Sequence, residues 1–357
     1  MKLVIVKLSS IGDVIHTLPA VAALRRQFPD ADITWVVERS SAQLLRQNPL
    51  LNRLIELDTG RWRRQWHSPS VWSEVVTCFQ QMRAHRFDIG LDFQGLIKSG
   101  LVLYLSGARQ RVGFETACLR EKLSLMFLTD QVPASDDVHV IEKNLQLVRW
   151  LGAAHEGPYE FPMHIPDEDR QWVENRLRTH GIKEFAILNP GGAWKGKRWS
   201  PAGYAAIGTF LYEAYGLASI VTHAPDEQAL AQEVVARCGE SAIPLCCTLK
   251  QLAALADRAT LFVGGDTGPM HLAAARGTPV VAIFGPTLAR RNGPFSPEDV
   301  IVREERRSAR AYYRREREDD YINVSEDEVR QAIKRRLTRV SQFGSHRLAQ
   351  IVATPSR

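Results

Sequence analysis

Four short segments hold side chains suited to polar chemistry, and each follows an apolar run. Ser9-Ser10-Ile11-Gly12-Asp13 supplies hydroxyls, a glycine and a carboxylate. Asp13 could act as a general base that takes the proton of an attacking hydroxyl. Aspartate also caps helices, and position alone favours the cap. A helix start stabilises the ionised form, so the carboxylate would be available but intrinsically weak. Asn189-Pro-Gly-Gly-Ala-Trp-Lys-Gly-Lys-Arg-Trp199 sets Gly191 and Gly192 beside Lys195, Lys197 and Arg198. A loop stripped of side chains and flanked by cations suits a diphosphate whose charge grows as a bond to it breaks; the plainer reading is a basic surface turn. His223-Ala-Pro-Asp-Glu227 carries two acids, Asp226 and Glu227, that could bind ribose hydroxyls or face a helix dipole. Asp266-Thr267-Gly268 is the strongest local signal, a helix start able to hold a phosphate with the Thr267 hydroxyl as an extra donor. Asp266 would repel that phosphate, so it suits sugar hydroxyls, or it is an N-cap. His271, one turn into the helix, reads as a buried, hydrogen-bonded histidine.

Three further segments are less specific. Phe93-Gln-Gly-Leu-Ile-Lys98 could bring Gln94 and Lys98 to an acidic acceptor, although a surface lysine is the ordinary alternative. His139, ahead of a helix over 141–151, reads as a packed histidine. Arg61-Trp62-Arg63-Arg64-Gln65-Trp66 interleaves cations and tryptophans with no acid nearby, which favours an anionic partner over a solvated face.

The elements that position these segments alternate. Short apolar runs at 3–6, 33–37, 54–57, 89–92 and 111–113 read as strands, and amphipathic stretches at 14–27 and 72–83 read as helices. The second half repeats this, with strands at 185–188, 219–222, 261–263, 280–284 and 300–302, and helices at 201–215, 226–238, 249–256 and 267–276. Such alternation predicts an α/β chain with parallel, doubly wound sheets. A Gly- and Pro-rich, aperiodic stretch at 151–166 reads as a linker. The partition is a first domain over 1–155, a second over 166–323, a last helix over 324–342 with Ser325 as N-cap, and a loose tail over 343–357.

Composition narrows the class. The 357 residues are 45% hydrophobic and 24% charged, ordinary for a globular protein of about two domains. No apolar run would span a bilayer, and the N-terminus reads as a strand rather than a signal peptide. A cytoplasmic protein is therefore expected. Five cysteines without C-x-x-C spacing read as reduced thiols, and no metal cluster is apparent. The net charge of +6 fits an anionic partner such as nucleic acid, phospholipid or an acidic sugar lipid. The basic run at 303–317 is diluted by Glu304, Glu305, Glu316 and Glu318 and reads as a solvated surface.

Ser9–Ala20, Asp92–Ser99, Lys197-Arg-Trp199, Asp266–Ala274 and Phe284-Gly-Pro286 resemble the ADP-heptose lipopolysaccharide heptosyltransferases, in matching order over residues 1 to about 340. The Arg61–Trp66 segment is most similar to the heptosyltransferase I branch, which adds the first heptose to Kdo. The resemblance implies a GT-B fold, two Rossmann-like domains facing across a cleft, with the acceptor in the first, the ADP-sugar in the second and the last helix packing back toward the first. It implies inverting transfer of L-glycero-D-manno-heptose from ADP-heptose to a Kdo or heptose hydroxyl of a Kdo-lipid A type acceptor. No cofactor, metal or nucleic acid is implied, and the protein would sit peripherally on the cytoplasmic leaflet of the inner membrane. By motif, Asp13 would be the base. Lys197, Gly191, Gly192, Glu227, Asp266, Thr267, Gly268 and His271 would serve the donor. Ser10, Gly12, Arg61, Arg63, Arg64, Gln94 and Lys98 would serve the acceptor. Two departures stand out: Gly191-Gly192-Ala193 lacks hydroxyl residues, leaving phosphate to backbone and cations, and 307–315 lacks cysteines that many relatives carry. A sugar-nucleotide epimerase of the same fold and a non-catalytic binder of acidic glycolipid are the rival readings.

Overall fold

A computed structural model describes residues 1–192, 195–285, 287–304 and 321–343, with 339–343 by backbone alone. Ala193, Pro286, the basic run after Glu304 and the tail beyond Phe343 lie outside the described residues. The chain divides into two units, Met1–His164 and Ile165–Arg357.

In the first unit a six-stranded sheet is built from β1 (Lys2–Val6), β2 (Asp32–Glu38), β3 (Arg53–Leu57), β4 (Ile89–Asp92), β5 (Gln110–Phe114) and β6 (Asp130–Val132). The order is β3-β2-β1-β4-β5-β6, with every neighbouring pair parallel. Leu3, Val4, Ile5 and Val6 are fully buried, as expected for a parallel strand covered on both faces. Each such side chain contributes about 1.5–3 kcal/mol, which anchors the strand end and the loop that follows it. The helices are α1 (Ile11–Gln27), α2 (Thr59–Arg64), α3 (Pro69–Ala84), α4 (Ile97–Leu105) and α5 (Val140–Arg149). α1 packs on α5, where the Asn144 side-chain amide donates to the His16 carbonyl at 3.0 Å and to the Thr17 hydroxyl at 3.2 Å.

The second unit repeats the plan. It opens with α6 (Asp167–Thr179), then β7 (Phe185–Asn189), α7 (Pro201–Tyr215), β8 (Ala218–His223), α8 (Gln228–Cys238), β9 (Ala242–Cys246), α9 (Leu249–Ala256), β10 (Leu261–Gly265), α10 (Gly268–Ala275), β11 (Val280–Phe284), α11 (Ala289–Asn292), β12 (Val300–Arg303) and α12 (Glu326–Phe343). The sheet order is β12-β11-β10-β7-β8-β9, again all parallel. Ser325 opens α12 reciprocally: its N–H donates to Glu328 Oε2 at 2.8 Å, and Glu328 N–H donates to its hydroxyl at 3.3 Å. The apolar stripe Val329, Ala332, Ile333 and Leu337 of this helix is buried in the core of the second unit, against α7, β11 and β12.

The periodic runs placed most elements, but six were missing from the sequence reading. α2 and α11 have six and four residues, too few to show a period. β6 and β9 are sheet edges, the first of three residues and the second interrupted by Pro244, which an edge tolerates. α4 is short. α6 carries only Val173 and Leu177 as buried residues, too few for a periodic signal.

Candidate active site

Each sheet reverses its winding once, between β1 and β4 in the first and between β7 and β10 in the second. At such a switch point the loops diverge and leave room for a ligand. The motif segments lie there: Lys7–Ser10 after β1, Phe93–Leu96 after β4, Pro190–Gly192 after β7 and Asp266–Thr267 after β10.

In the first unit Ser10 is the N-cap of α1 and Asp13 is the acid in its first turn. Asp13 Oδ2 accepts from the Ser10 N–H and from the Ser10 hydroxyl, both at 3.0 Å. The capping role therefore exists, yet the Asp13 side chain keeps 40% of its surface accessible. Beneath it lies Lys7, which sequence reading passed over as strand. Lys7 Nζ sits 3.7 Å from Asp13 Oδ1 with only 6% of its side chain accessible. It donates to the Phe93 carbonyl at 3.0 Å, and its own carbonyl accepts from the Trp35 indole at 3.1 Å. Asp92, at the end of β4, is buried close by. Burial pushes its carboxyl above the usual range, opposed by the N–H groups of Gln94 and Gly95, the Ser99 hydroxyl and the Lys7 charge. The signal for Lys7 was a lysine directly after a buried strand, ahead of the Ser-Ser loop.

Gln94, expected to face an acceptor, instead latches the neighbouring loop. Its Oε1 accepts from Leu8 N–H at 2.8 Å and Ser9 N–H at 3.3 Å, and its Nε2 donates to Ser9 O at 2.8 Å. Lys98 pairs with Glu38, whose carboxylate also accepts from the Thr59 N–H at 3.2 Å and from the Thr59 hydroxyl. Gly12 is buried in α1. The reading that no acid lies near Arg61–Arg64 is corrected: α3 brings Glu74 alongside, 3.1 Å from Arg61 Nη2 and 3.1 Å from the Trp62 indole nitrogen. Asp58, three residues before Arg61, also accepts from the Arg61 N–H at 3.0 Å, so spacing along the chain concealed only the neighbour one helix away. Arg63 and Arg64 are exposed. His139 accepts from Ile141 N–H at 3.2 Å and meets the His16 ring edge-on.

In the second unit a short turn, Lys195–Lys197, crosses the ends of β10 and β11. The approach is close enough that a Cβ on Gly265 would lie 2.8 Å from the Lys197 carbonyl oxygen, so any side chain there would clash. Lys197 thereby reaches Asp266: Nζ donates to Oδ2 at 2.9 Å, and His271 Nε2 lies 3.2 Å from Oδ1. Asp266 is buried, with 6% of its side chain accessible, against 15% for Lys197. Burial alone would raise the Asp266 carboxyl, but the hydrogen bond and charge of His271 and the charge of Lys197 together hold it well below the usual range. His271 is thus the buried, hydrogen-bonded histidine its position suggested. Thr267 is the N-cap of α10, and Thr267 and Gly268 remain partly exposed at the helix start.

Glu227 closes the same switch point. It accepts from the Gly192 N–H at 2.9 Å and from the Ala224 N–H at 3.2 Å. A Cβ on Gly191 would lie 2.3 Å from Glu227 Oε2, so the glycine is needed for the carboxylate to approach. Arg198 donates through Nε and Nη2 to the Gly192 carbonyl at 2.9 and 2.7 Å. The alternative acid, Asp226, is exposed in a short turn. The structure brings together Asp13 with Ser10, Lys197 with Asp266 and His271, and Gly191 and Gly192 with Glu227.

Two parallel sheets, each with polar loops at its switch point, are the two Rossmann-like halves of a GT-B fold. The chain belongs to glycosyltransferase family 9 (heptosyltransferase), which residues 75–322 match. It is 28% identical over 300 residues to lipopolysaccharide heptosyltransferase 1 of Pseudomonas aeruginosa, covering 84% of this chain and 83% of that one. Its fold is similar to that of the glycosyl transferase family 9 protein of Veillonella parvula, with a TM-score of 0.81, 22% identity and coverage of 95% and 98%. It is similar also to the E. coli heptosyltransferase WaaC with ADP-2-deoxy-2-fluoro heptose, with a TM-score of 0.76, 24% identity and coverage of 94% and 99%. Family membership favours glycosyl transfer over the epimerase and binder readings.

Proposed function

We propose that this protein transfers heptose from ADP-heptose to a Kdo-bearing lipid A type acceptor, with inversion at the anomeric carbon. The observation that carries this is the family match, which covers residues 75–322 and so a part of each unit. The name of the Pseudomonas relative and the ADP-heptose analogue with the E. coli structure point to the same donor and acceptor class. We assign the acceptor to the first unit and the donor to the second.

In the first unit Asp13 takes the proton of the attacking hydroxyl, with Ser10 and Lys7 orienting the carboxylate. Arg61, Arg63, Arg64 and Lys98 supply positive charge for an acidic acceptor, and Gln94 and Gly12 shape the loop. In the second unit Lys197 and the start of α10 at Thr267-Gly268 stabilise the departing diphosphate. Gly191 and Gly192, held by Glu227, line that loop with backbone. Asp266 fixes Lys197 and His271 and accepts from sugar hydroxyls. The acceptor hydroxyl forms the new glycosidic bond as the anomeric carbon–phosphate oxygen bond breaks. The electron pair leaves with ADP and the proton passes to Asp13. Fixed cations and backbone dipoles offset this charge. We place the reaction at the cytoplasmic face of the inner membrane, where the lipid-anchored acceptor resides.

The test is ADP release from ADP-heptose with and without Kdo-lipid A, with mass analysis of the lipid. Acceptor-dependent ADP release and a lipid heavier by one heptose are expected. ADP-heptose converted without any acceptor would support the epimerase, and lipid binding without ADP release would support the binder.

A further inference from the structure

We infer that the layer formed by α3, α4 and the turn that follows β5 is the surface with which this protein lies on an anionic bilayer. The inference rests on the proposed lipid-anchored acceptor and adds the face that meets the lipid. Among the described residues, twelve large hydrophobic side chains are exposed, and eight of them fall between Trp66 and Met126. On α4, Ile97, Leu101 and Tyr104 are 38%, 41% and 48% exposed. Their spacing of four and three residues sets them on one helix face. That face turns away from the core: the same helix buries Ser99, Gly100, Val102 and Leu103. α4 packs against the turn Lys122–Phe127, which adds Leu123 and Met126 at 68% and 72% exposure. On its other flank α4 packs on α3, which, with the segment leading into it, contributes Trp66, Trp72 and Val76. An apolar surface spread over three adjacent elements exceeds the isolated exposed residues that need no explanation.

Charge selects the occupant. Residues 61–126 hold ten Lys and Arg against five Asp and Glu, so this stretch carries +5 of the chain's net +6. Of the five acids, Asp92 is buried and Glu74 is paired with Arg61. Lys98, Arg109, Arg120 and Lys122 are exposed around the apolar side chains. The Arg111 guanidinium sits over the Tyr104 ring at 5.4 Å. Apolar side chains ringed by cations match a bilayer with negative head groups, where insertion and electrostatic attraction add. An apolar protein partner would not require this excess of charge. The patch also begins where the acceptor is expected, since Ile97 and Lys98 stand in the first turn of α4, three and four residues after Gln94. A lipid-anchored sugar could reach the Ser9–Asp13 loop without its lipid leaving the membrane.

The experiment uses the full chain, its Leu123→Asp/Met126→Asp variant and a control Tyr212→Ser/Leu288→Ser variant, which removes exposed apolar groups from the second unit. Circular dichroism and thermal melts confirm that each is folded. Cosedimentation is measured with phosphatidylcholine vesicles, with and without phosphatidylglycerol, at low and high salt. The wild type and control should bind the phosphatidylglycerol vesicles, more weakly at high salt. The Leu123/Met126 variant should partition about tenfold less or worse. Equal binding by this variant, indifference to phosphatidylglycerol, or no wild-type binding would each overturn the inference, as would a patch variant that changes oligomeric state in the absence of vesicles. Turnover with a deacylated, water-soluble Kdo acceptor should be the same for all three proteins. Absence of that turnover with vesicle binding intact would count against the proposed function and leave the membrane surface standing.

Discussion

The two switch-point sites share a backbone plan and invert its electrostatics. Each pairs a lysine with an aspartate next to a helix start. In the first unit the lysine is the buried member: Lys7 keeps 6% of its side chain accessible and Asp13 keeps 40%. In the second the aspartate is buried more deeply, with 6% accessible against 15% for Lys197. The first site therefore presents a carboxylate over a hidden cation. The second presents a cation over a hidden carboxylate. One arrangement suits proton removal from an acceptor and the other suits an anionic leaving group. In the proposed mechanism a repeated fold thus serves two chemical roles by exchanging which partner is the more accessible.

The sharpest way to break this contrast is to remove the exposed member of the first pair. Asp13→Asn should lower kcat by about 10²–10⁴-fold, the usual contribution of a general base, while ADP binding measured by calorimetry stays near wild type. Near-normal turnover would reduce Asp13 to the capping acid that its bonds to Ser10 already make it.

Next in size is the second pair. Removing one partner of a buried ion pair strands the other and costs about 3–5 kcal/mol. Asp266→Ala should therefore destabilise the protein by roughly 3 kcal/mol in urea melts, since Lys197 and His271 both lose the Asp266 carboxylate. Lys197→Ala leaves Asp266 with its bond to His271, so its melting should fall less while the KM for ADP-heptose rises. Unchanged donor kinetics would detach Lys197 from the donor.

These pairs also mark what the sequence made legible. The strand–loop–helix order exposed both switch points, because buried parallel strands are long apolar runs and glycines punctuate the loops. Asp13, Lys197 and Asp266 stood in those loops and were readable as chemistry. Lys7 was not, because its role depends on Phe93, just after β4, and Trp35 of β2 closing around it. Glu74 beside Arg61 was hidden for the same reason. A second use of Gly191 was not legible: its missing side chain makes room for Glu227 within the protein, a contact between residues far apart in the chain.

A smaller effect tests whether the hidden cation matters. Lys7→Met should reduce kcat about tenfold and leave the donor KM unchanged. Lys7→Arg, which keeps the positive charge, should recover most of that loss. A loss that Lys7→Arg leaves in full would mean that Lys7 only supports the loop.

The smallest effect compares two buried carboxylates, one from each unit. Asp266 lies below its ordinary value and Asp92 above it. A lowered carboxyl contributes stability that is present above its unfolded value, about pH 4, and is lost as pH falls toward the folded value. A raised carboxyl does the reverse, costing stability at neutral pH and less as acid protonates it. Asp266→Asn should therefore be harmful at pH 7 and flatten the loss of stability below about pH 4. Asp92→Asn should be mild, within about 1 kcal/mol at pH 7. The amide oxygen can still accept from the Gln94 and Gly95 N–H groups, and the Ser99 hydroxyl, no longer needed by Asp92 Oδ2, can turn fully to the Leu96 carbonyl at 2.9 Å. Urea melts at pH 7 and pH 4 measure both variants. If Asp92→Asn proved the more damaging at pH 7, the ionised carboxylate of the first unit would be the stronger structural anchor, and the contrast between a hidden cation and a hidden anion would fail.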